Sequence, residues 1–123
     1  MEDYSYINEK CLCLEARKQS RIVTQCFNRH LKKTGLKITQ LNVLVAFLVP
    51  GINLNEIANS LGLERSTLSR NIEPLLRLGL LRQYLEANLK DRRSRFYSLT
   101  SKGREVLEQC APLWREAQIS CKL

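Results

Sequence analysis

Residues 82–103 read RQYLEANLKDRRSRFYSLTSKG and constrain the fold more than any other stretch, because they hold the strand-like pieces of a chain patterned elsewhere as helix. Leu81–Ala87 and Arg95–Leu99 read as two strands joined through Asn88–Ser94. The joining tip carries Lys90, Arg92, Arg93 and Arg95 against a single acid, Asp91. A hairpin with so dense a positive tip suits contact with a polyanion.

The rest divides at glycines and prolines. Residues 5–33 read as one long helix, with Ile7, Cys11, Leu14, Ile22, Cys26 and Leu31 at helical spacings and Gly35 as its stop. Thr39 is placed to cap a second helix. Its run Leu41, Val43, Leu44, Val45, Phe47, Leu48 is apolar nearly all round, as in a buried helix. Pro50-Gly51 makes a turn. Asn53 followed by Glu56 starts a short helix ending near Leu61, and Gly62 turns the chain into a helix over about Glu64–Leu78. Leu68, Ile72, Leu75 and Leu76 form the buried stripe of that helix, Pro74 bends it and Gly79 ends it. After the hairpin, Thr100 caps a last helix over about Ser101–Ser120. Its apolar positions are Val106, Leu107, Cys110, Leu113, Trp114 and Ala117.

A length of 123 residues fits one domain, 1–123, and a core this small favours packing of the terminal helices on a partner subunit. The net charge of +8 points to acidic partners, nucleic acid first. Net charge does not locate the site, since residues 1–37 and residues 64–100 each carry +4; the density at 90–95 does. No apolar run approaches the roughly 20 residues of a membrane span. The acidic start MEDYSYINEK is unlike a signal peptide. Five cysteines without a secretion signal imply a reducing, cytoplasmic setting with free thiols, and the odd number prevents complete pairing within the chain.

Asn53–Leu78 has the pattern of a helix-turn-helix. With Leu68 and Ile72 committed to the core, Arg65, Ser66, Thr67, Ser69 and Arg70 are left facing outward. Arg can grip guanine O6 and N7 with two hydrogen bonds, and Ser and Thr can reach bases or phosphates. The bland alternative is a solvated helix start; the basic hairpin that follows favours duplex DNA. In such a winged helix the tip tracks the backbone and the adjacent minor groove, where a narrow groove draws in Arg. Arg93 is the expected groove contact, with Lys90, Arg92 and Arg95 near phosphates. Asp91 either pairs with one of these arginines or serves as an ordinary turn residue.

The segments LNEIANSLGLERSTLSRNIEPLLRLGLL and DRRSRFYSLTSKGREVL resemble the MarR family of bacterial winged-helix regulators, as does TQLNVL at 39–44 after GLK. The resemblance spans about residues 33–108, and the Asp-Arg-Arg run followed by a strand and LTxxG is its most specific part. It implies a mainly α fold with a small β-hairpin wing, in which residues 39–100 bind DNA and residues 1–35 and 101–123 dimerise. It further implies a homodimer on a pseudo-palindromic operator that usually represses. The family's DNA contacts carry over to Arg65, Ser66, Thr67, Ser69 and Arg70, and its wing acid and wing-tip arginine to Asp91 and Arg93. Relatives usually continue into a further C-terminal helix, whereas about twenty residues follow Gly103 here.

Three of the five thiols, Cys11, Cys13 and Cys26, lie in the first helix, and Cys110 and Cys121 lie in the last. Cys11 and Cys13, about 200° apart on a helix, cannot share a ligand unless the helix frays there. A thiol pair or thiolate ion site would join Cys11 or Cys13 to Cys110 or Cys121, across subunits. Cys26 and Cys110 read as small core residues. Cys11, Cys13 and Cys110 are the candidates for sensing an oxidant or a thiophilic metal, with Lys10, Arg17 and Lys18 near the first two. No cysteine or histidine spacing matches a zinc site, and no cofactor is implied. His30, the one histidine, reads as a solvated residue without a partner, so a Cys/His enzyme has no support. Tyr4 and Tyr6 suit a ligand pocket or a dimer mate, and Trp114 a core or interface anchor. The expected function is a sequence-specific DNA-binding transcriptional regulator released by a small ligand, by cysteine oxidation or by a thiophilic metal, and making no membrane contact. The alternative is a winged helix used for protein contacts.

Overall fold

The computed structural model describes residues 2–84 and 96–122. The chain runs α1 (Tyr6–Lys10), α2 (Leu12–Leu31), a 3-10 turn (Lys32–Thr34), α3 (Ile38–Ala46), α4 (Leu54–Leu61), α5 (Arg65–Arg77), β1 (Leu81–Tyr84), β2 (Phe96–Leu99) and α6 (Ser101–Ser120). The fold is therefore mainly helical with one antiparallel hairpin, and the long terminal helices α2 and α6 pack on each other. Among the described residues no helix is long and apolar enough to cross a membrane.

The single helix expected over 5–33 is interrupted. Cys11 is extended (φ −74°, ψ 110°) and caps α2, its Sγ accepting from the Leu14 N–H at 3.4 Å. Apolar spacing does not register one non-helical residue, whereas a side-chain acceptor for an orphan N–H stabilises the break. The second helix begins at Ile38 rather than after Thr39. The Ile38 N–H donates to Asn28 Oδ1 of α2 at 2.8 Å, and the Lys37 N–H donates to Gln40 Oε1 at 2.9 Å, so the cap comes from other side chains. Nor is α3 buried all round. Leu41, Val43 and Leu44 are core, but Val45 and the following Leu48 and Val49 are exposed on an outward flank.

One core joins every element from α2 onward: Leu31, Leu36, Leu44, Phe47, Ile57, Leu68, Leu75, Leu80, Leu81, Tyr97 and Cys110 all belong to it. Phe47 meets Tyr97 edge to face with centroids 5.8 Å apart, which fixes the wing base on α3. Leu81 pairs with Leu99 and Tyr84 with Phe96 in the hairpin register. By contrast, residues 2–10 are exposed throughout, and α2 buries only Phe27 and Leu31, both in its last turns.

The LTxxG segment has a definite job. Thr100 caps α6 by accepting from the Gly103 N–H at 3.0 Å while its hydroxyl donates to the Gly79 carbonyl at 2.6 Å. Lys102 Nζ donates to the Leu78 carbonyl at 2.8 Å, and the Thr100 N–H donates to the Leu80 carbonyl at 3.1 Å. The start of α6 is thus tied to the end of α5 and the root of β1. Gly103 is buried in this crossing because a Cβ there would run into the Leu80 carbonyl oxygen. Helix α6 also continues through Pro112, a helix-interior proline like Pro74 in α5.

Candidate nucleic-acid interface

α4 and α5 form the helix-turn-helix. Asn53 Oδ1 accepts from the Asn55 N–H at 2.7 Å to start α4, and Gly62 at φ +67° turns the chain at its end. Leu54, Ile57 and Ala58 anchor α4, and Leu68, Ile72 and Leu75 anchor α5. These buried positions fix the rotation of α5 about its axis. Arg65, Ser66, Ser69 and Arg70 are consequently exposed, while Thr67 is half-buried at the edge of that face.

Local bonds set the state of each side chain. Arg65 Nη1 donates to Asn55 Oδ1 at 3.0 Å, so a residue of the first helix orients the first arginine of the second. Arg70 Nη2 lies 3.5 Å from Thr67 Oγ1, a weak tether that leaves most of the guanidinium fork free. The Ser69 hydroxyl donates back to the Arg65 carbonyl at 3.1 Å and keeps its lone pairs outward. Ser66 is exposed one residue into the helix. Glu64 precedes α5 without a side-chain cap, so the first-turn N–H groups point out uncapped. At the far end Arg77 and Glu73 form an exposed pair at 3.9 Å, which leaves the positive charge of α5 concentrated at its N-terminal half. Asn55 carried no sequence signal beyond being polar in the first helix.

The wing residues Lys90, Asp91, Arg92, Arg93 and Arg95 lie outside the described residues. The hairpin root is built by the Leu81–Leu99 and Tyr84–Phe96 pairs and by the Thr100–Lys102–Gly103 crossing described above.

The thiols are arranged differently from expectation. The disulfide joins Cys26 to Cys121 within the chain, with Cα atoms 5.9 Å apart, rather than Cys11 or Cys13 to a cysteine of the last helix. Packing of α6 along α2 brings these two residues together across 95 positions, which no local spacing reveals. Cys11 is half-buried, Cys13 exposed and Cys110 fully buried. Burial pushes the Cys110 thiol above its usual range, opposed in part by a hydrogen bond with Thr34, so the reactive thiolate is disfavoured there. His30, expected to be unpartnered, has Nδ1 2.9 Å from the Cys26 carbonyl and 3.9 Å from Cys121 Sγ.

A cavity of about 510 Å³ opens between α3, α4 and α6, with Leu41, Val45, Leu61, Leu107 and Trp114 among its walls and Asn42 and Ser60 as polar groups. Trp114 is therefore a cavity wall, 39% exposed, and not a core anchor.

No family sequence model and no curated protein matches the chain. Solved structures do. The transcriptional regulator MosR of M. tuberculosis, in complex with DNA, is 36% identical over 90% of this chain and 80% of its own, with a TM-score of 0.80. CouR, a transcriptional repressor bound to a 23-mer DNA duplex, is 27% identical over 92% and 79%, with a TM-score of 0.72. CouR of Rhodococcus jostii RHA1 has also been solved with p-coumaroyl-CoA. A MarR-family transcriptional regulator of Rhodococcus sp. RHA1 shares the fold at 22% identity over 96% and 80%, with a TM-score of 0.73.

Proposed function

We propose, for a chain that belongs to the MarR family of transcriptional regulators, that it acts as a homodimer on a pseudo-palindromic DNA operator. The observation that carries this reading is the face of α5. Arg65, Ser66, Ser69 and Arg70 are exposed on a helix whose opposite stripe is locked in the core, on a scaffold 36% identical to a regulator solved with DNA. Thr67 joins them at the rim of the groove. Arg70 has the freest fork and suits guanine; Arg65, held by Asn55, suits a base or phosphate at the helix start. Lys90, Arg92, Arg93 and Arg95 extend the contact along the backbone and minor groove, with Asp91 steadying the tip.

Dimerisation is supported by the state of the terminal segments. Tyr4, Tyr6, Ile7, Leu12 and Ile22 on one side of the chain and Ile119 on the other are exposed. A segment as exposed as residues 2–10 is marginal alone, and a second copy supplies the packing that is missing. Residues 1–35 and 101–123 are accordingly the dimer segments, and 39–100 the DNA-binding part.

Release by an effector fits the cavity between α3, α4 and α6, because a ligand there would bear on both the dimer helix α6 and the helix-turn-helix. Its lining calls for a mainly apolar ligand with one or two polar groups. Thiol chemistry at Cys11 and Cys13 is the second route, favoured by the exposure of Cys13 and the capping position of Cys11.

Fluorescence anisotropy tests the reading, using DNA from upstream of the protein's own gene against random duplex over a salt series. Selective binding that weakens steeply with salt is expected. Equal affinity for both DNAs would remove the base-reading role of α5, and no binding to either would leave a protein-contact module.

A further inference from the structure

Cys26 and His30 sit four residues apart on α2, and so one above the other on the same face. Cys121 reaches them from the C-cap of α6. The two sulfurs and a ring nitrogen of His30 all lie within 4.8 Å of one another, and all three residues are half-buried. This cluster is separate from the α5 face, from the apolar cavity and from Cys11 and Cys13.

We infer that in the dithiol state Cys26, His30 and Cys121 bind a zinc-class divalent cation, and that the Cys26–Cys121 disulfide is the metal-free, oxidised form of the same site.

The donor set fits the ion. Two thiolates and an imidazole are the ligands that zinc prefers, and two thiolates cancel its charge, which a half-buried position requires. With metal–sulfur bonds of about 2.3 Å and a metal–nitrogen bond of about 2.0 Å, tetrahedral ligand atoms stand roughly 3.5–3.8 Å apart. His30 Nδ1 is already 3.9 Å from Cys121 Sγ, and the two sulfurs part when their bond is reduced. A carbonyl accepts but never donates, so Nδ1 carries the ring proton in its 2.9 Å contact with the Cys26 carbonyl. On metal binding that proton moves to Nε2, the hydrogen bond to the Cys26 carbonyl is given up, and the two thiols lose one proton each. Three protein ligands leave the fourth position open.

Oxidation reverses the binding. A hydroperoxide takes two electrons: one thiolate attacks the peroxide oxygen, the O–O bond breaks to leave a sulfenic acid, and the departing alkoxide or hydroxide takes up a solvent proton to become an alcohol or water. The second thiolate then attacks the sulfenic sulfur, hydroxide leaves and takes up a proton as water, and the S–S bond forms. The sulfurs are no longer thiolates, and the cation departs. Both forms clip the end of α6 to the last turns of α2, whereas the metal-free dithiol does not. The site therefore reports both metal supply and oxidant to the two helices assigned to dimerisation. That consequence rests on the regulator reading, but the binding site does not.

The experiment uses the full chain without DNA, so its failure and that of DNA binding are read separately. Reduced protein, freed of reductant, is titrated with cobalt(II) and then zinc(II). One cobalt per protomer with thiolate charge-transfer bands is expected, displaced by zinc, with two protons released per ion. Cys26→Ser, Cys121→Ser and His30→Gln each weaken binding at least tenfold, while the Cys11→Ser/Cys13→Ser double variant and Cys110→Ser leave it unchanged. One equivalent of peroxide then frees one zinc per two thiols lost. Circular dichroism of each variant checks its fold, and cobalt spectra of the wild type alone count the thiolate ligands should a variant unfold. A wild type without thiolate bands, or bands that survive in folded Cys26→Ser and Cys121→Ser, would overturn the assignment.

Discussion

Gly103→Ala sets two effects of opposite sign against each other. Gly103 is the third residue of α6, and replacing a helical glycine by alanine ordinarily stabilises by about 1 kcal/mol. Here the added Cβ would meet the Leu80 carbonyl oxygen directly, lie 2.8 Å from Leu99 Cδ1 and 3.2 Å from the Leu80 carbonyl carbon. The Leu99 contact falls about 0.7 Å inside the normal carbon–carbon minimum, and a side chain can give that much. The Leu80 carbonyl cannot, because Leu80 is a core residue and its oxygen accepts the Thr100 N–H at 3.1 Å. Overpacking against backbone costs roughly 3 kcal/mol, the upper part of the usual range, so the net loss is about 2 kcal/mol. Urea denaturation should show a lower midpoint with an unchanged slope, and heating a melting temperature lower by roughly 6–10 °C. Since α6 can relieve the clash only by moving off the wing root, operator affinity should fall as well. An alanine variant as stable as the parent, or more so, would mean instead that helix propensity outweighs the crossing.

Arg70→Ala should cost roughly 1–3 kcal/mol on operator DNA and relax base preference; equal losses on operator and random duplex would make Arg70 a phosphate contact. Arg93→Ala should weaken binding to all sequences and lower the salt slope by about one unit, and an unchanged slope removes it from the phosphate set. Asn55→Ala frees the Arg65 guanidinium, and a two- to tenfold loss of operator affinity with unchanged melting temperature is expected; a melting temperature that drops with affinity would point to a packing role instead. Reducing Cys26–Cys121 opens a clip across 95 residues and should lower stability by roughly 2–4 kcal/mol, read from urea midpoints with and without reductant; Cys26→Ser should make the protein indifferent to reductant.

Much of the fold was legible because local chemistry and tertiary packing agree. Leu68, Ile72 and Leu75 at helical spacing face the core as their periodicity requires, and Thr100 and Asn53 cap the helices their side chains suit. The strands at Leu81 and Leu99 follow from the same patterning. What was not legible depended on partners distant in the chain. Asn28 caps α3 from ten residues away and displaces Thr39 from that role. Cys11 breaks the first helix because a thiol accepts a hydrogen bond that periodicity does not see. Cys26, His30 and Cys121 meet only once α6 lies along α2, so the spacing rules for thiol and metal sites had nothing to find. At the candidate interface, residue types revealed the outward face of α5 but not the hold of Asn55 on Arg65, nor the half-burial of Thr67.

Whether α5 reads an operator is decided by selecting duplex DNA from a random pool with the full chain and sequencing what is retained. A pseudo-palindrome whose half-sites lie about one helical turn apart is expected, with the enriched bases changed at matching positions of both halves when the selection is repeated with Arg70→Ala. An unenriched pool, or a preferred sequence untouched by Arg70→Ala, would contradict the claim that α5 reads the operator.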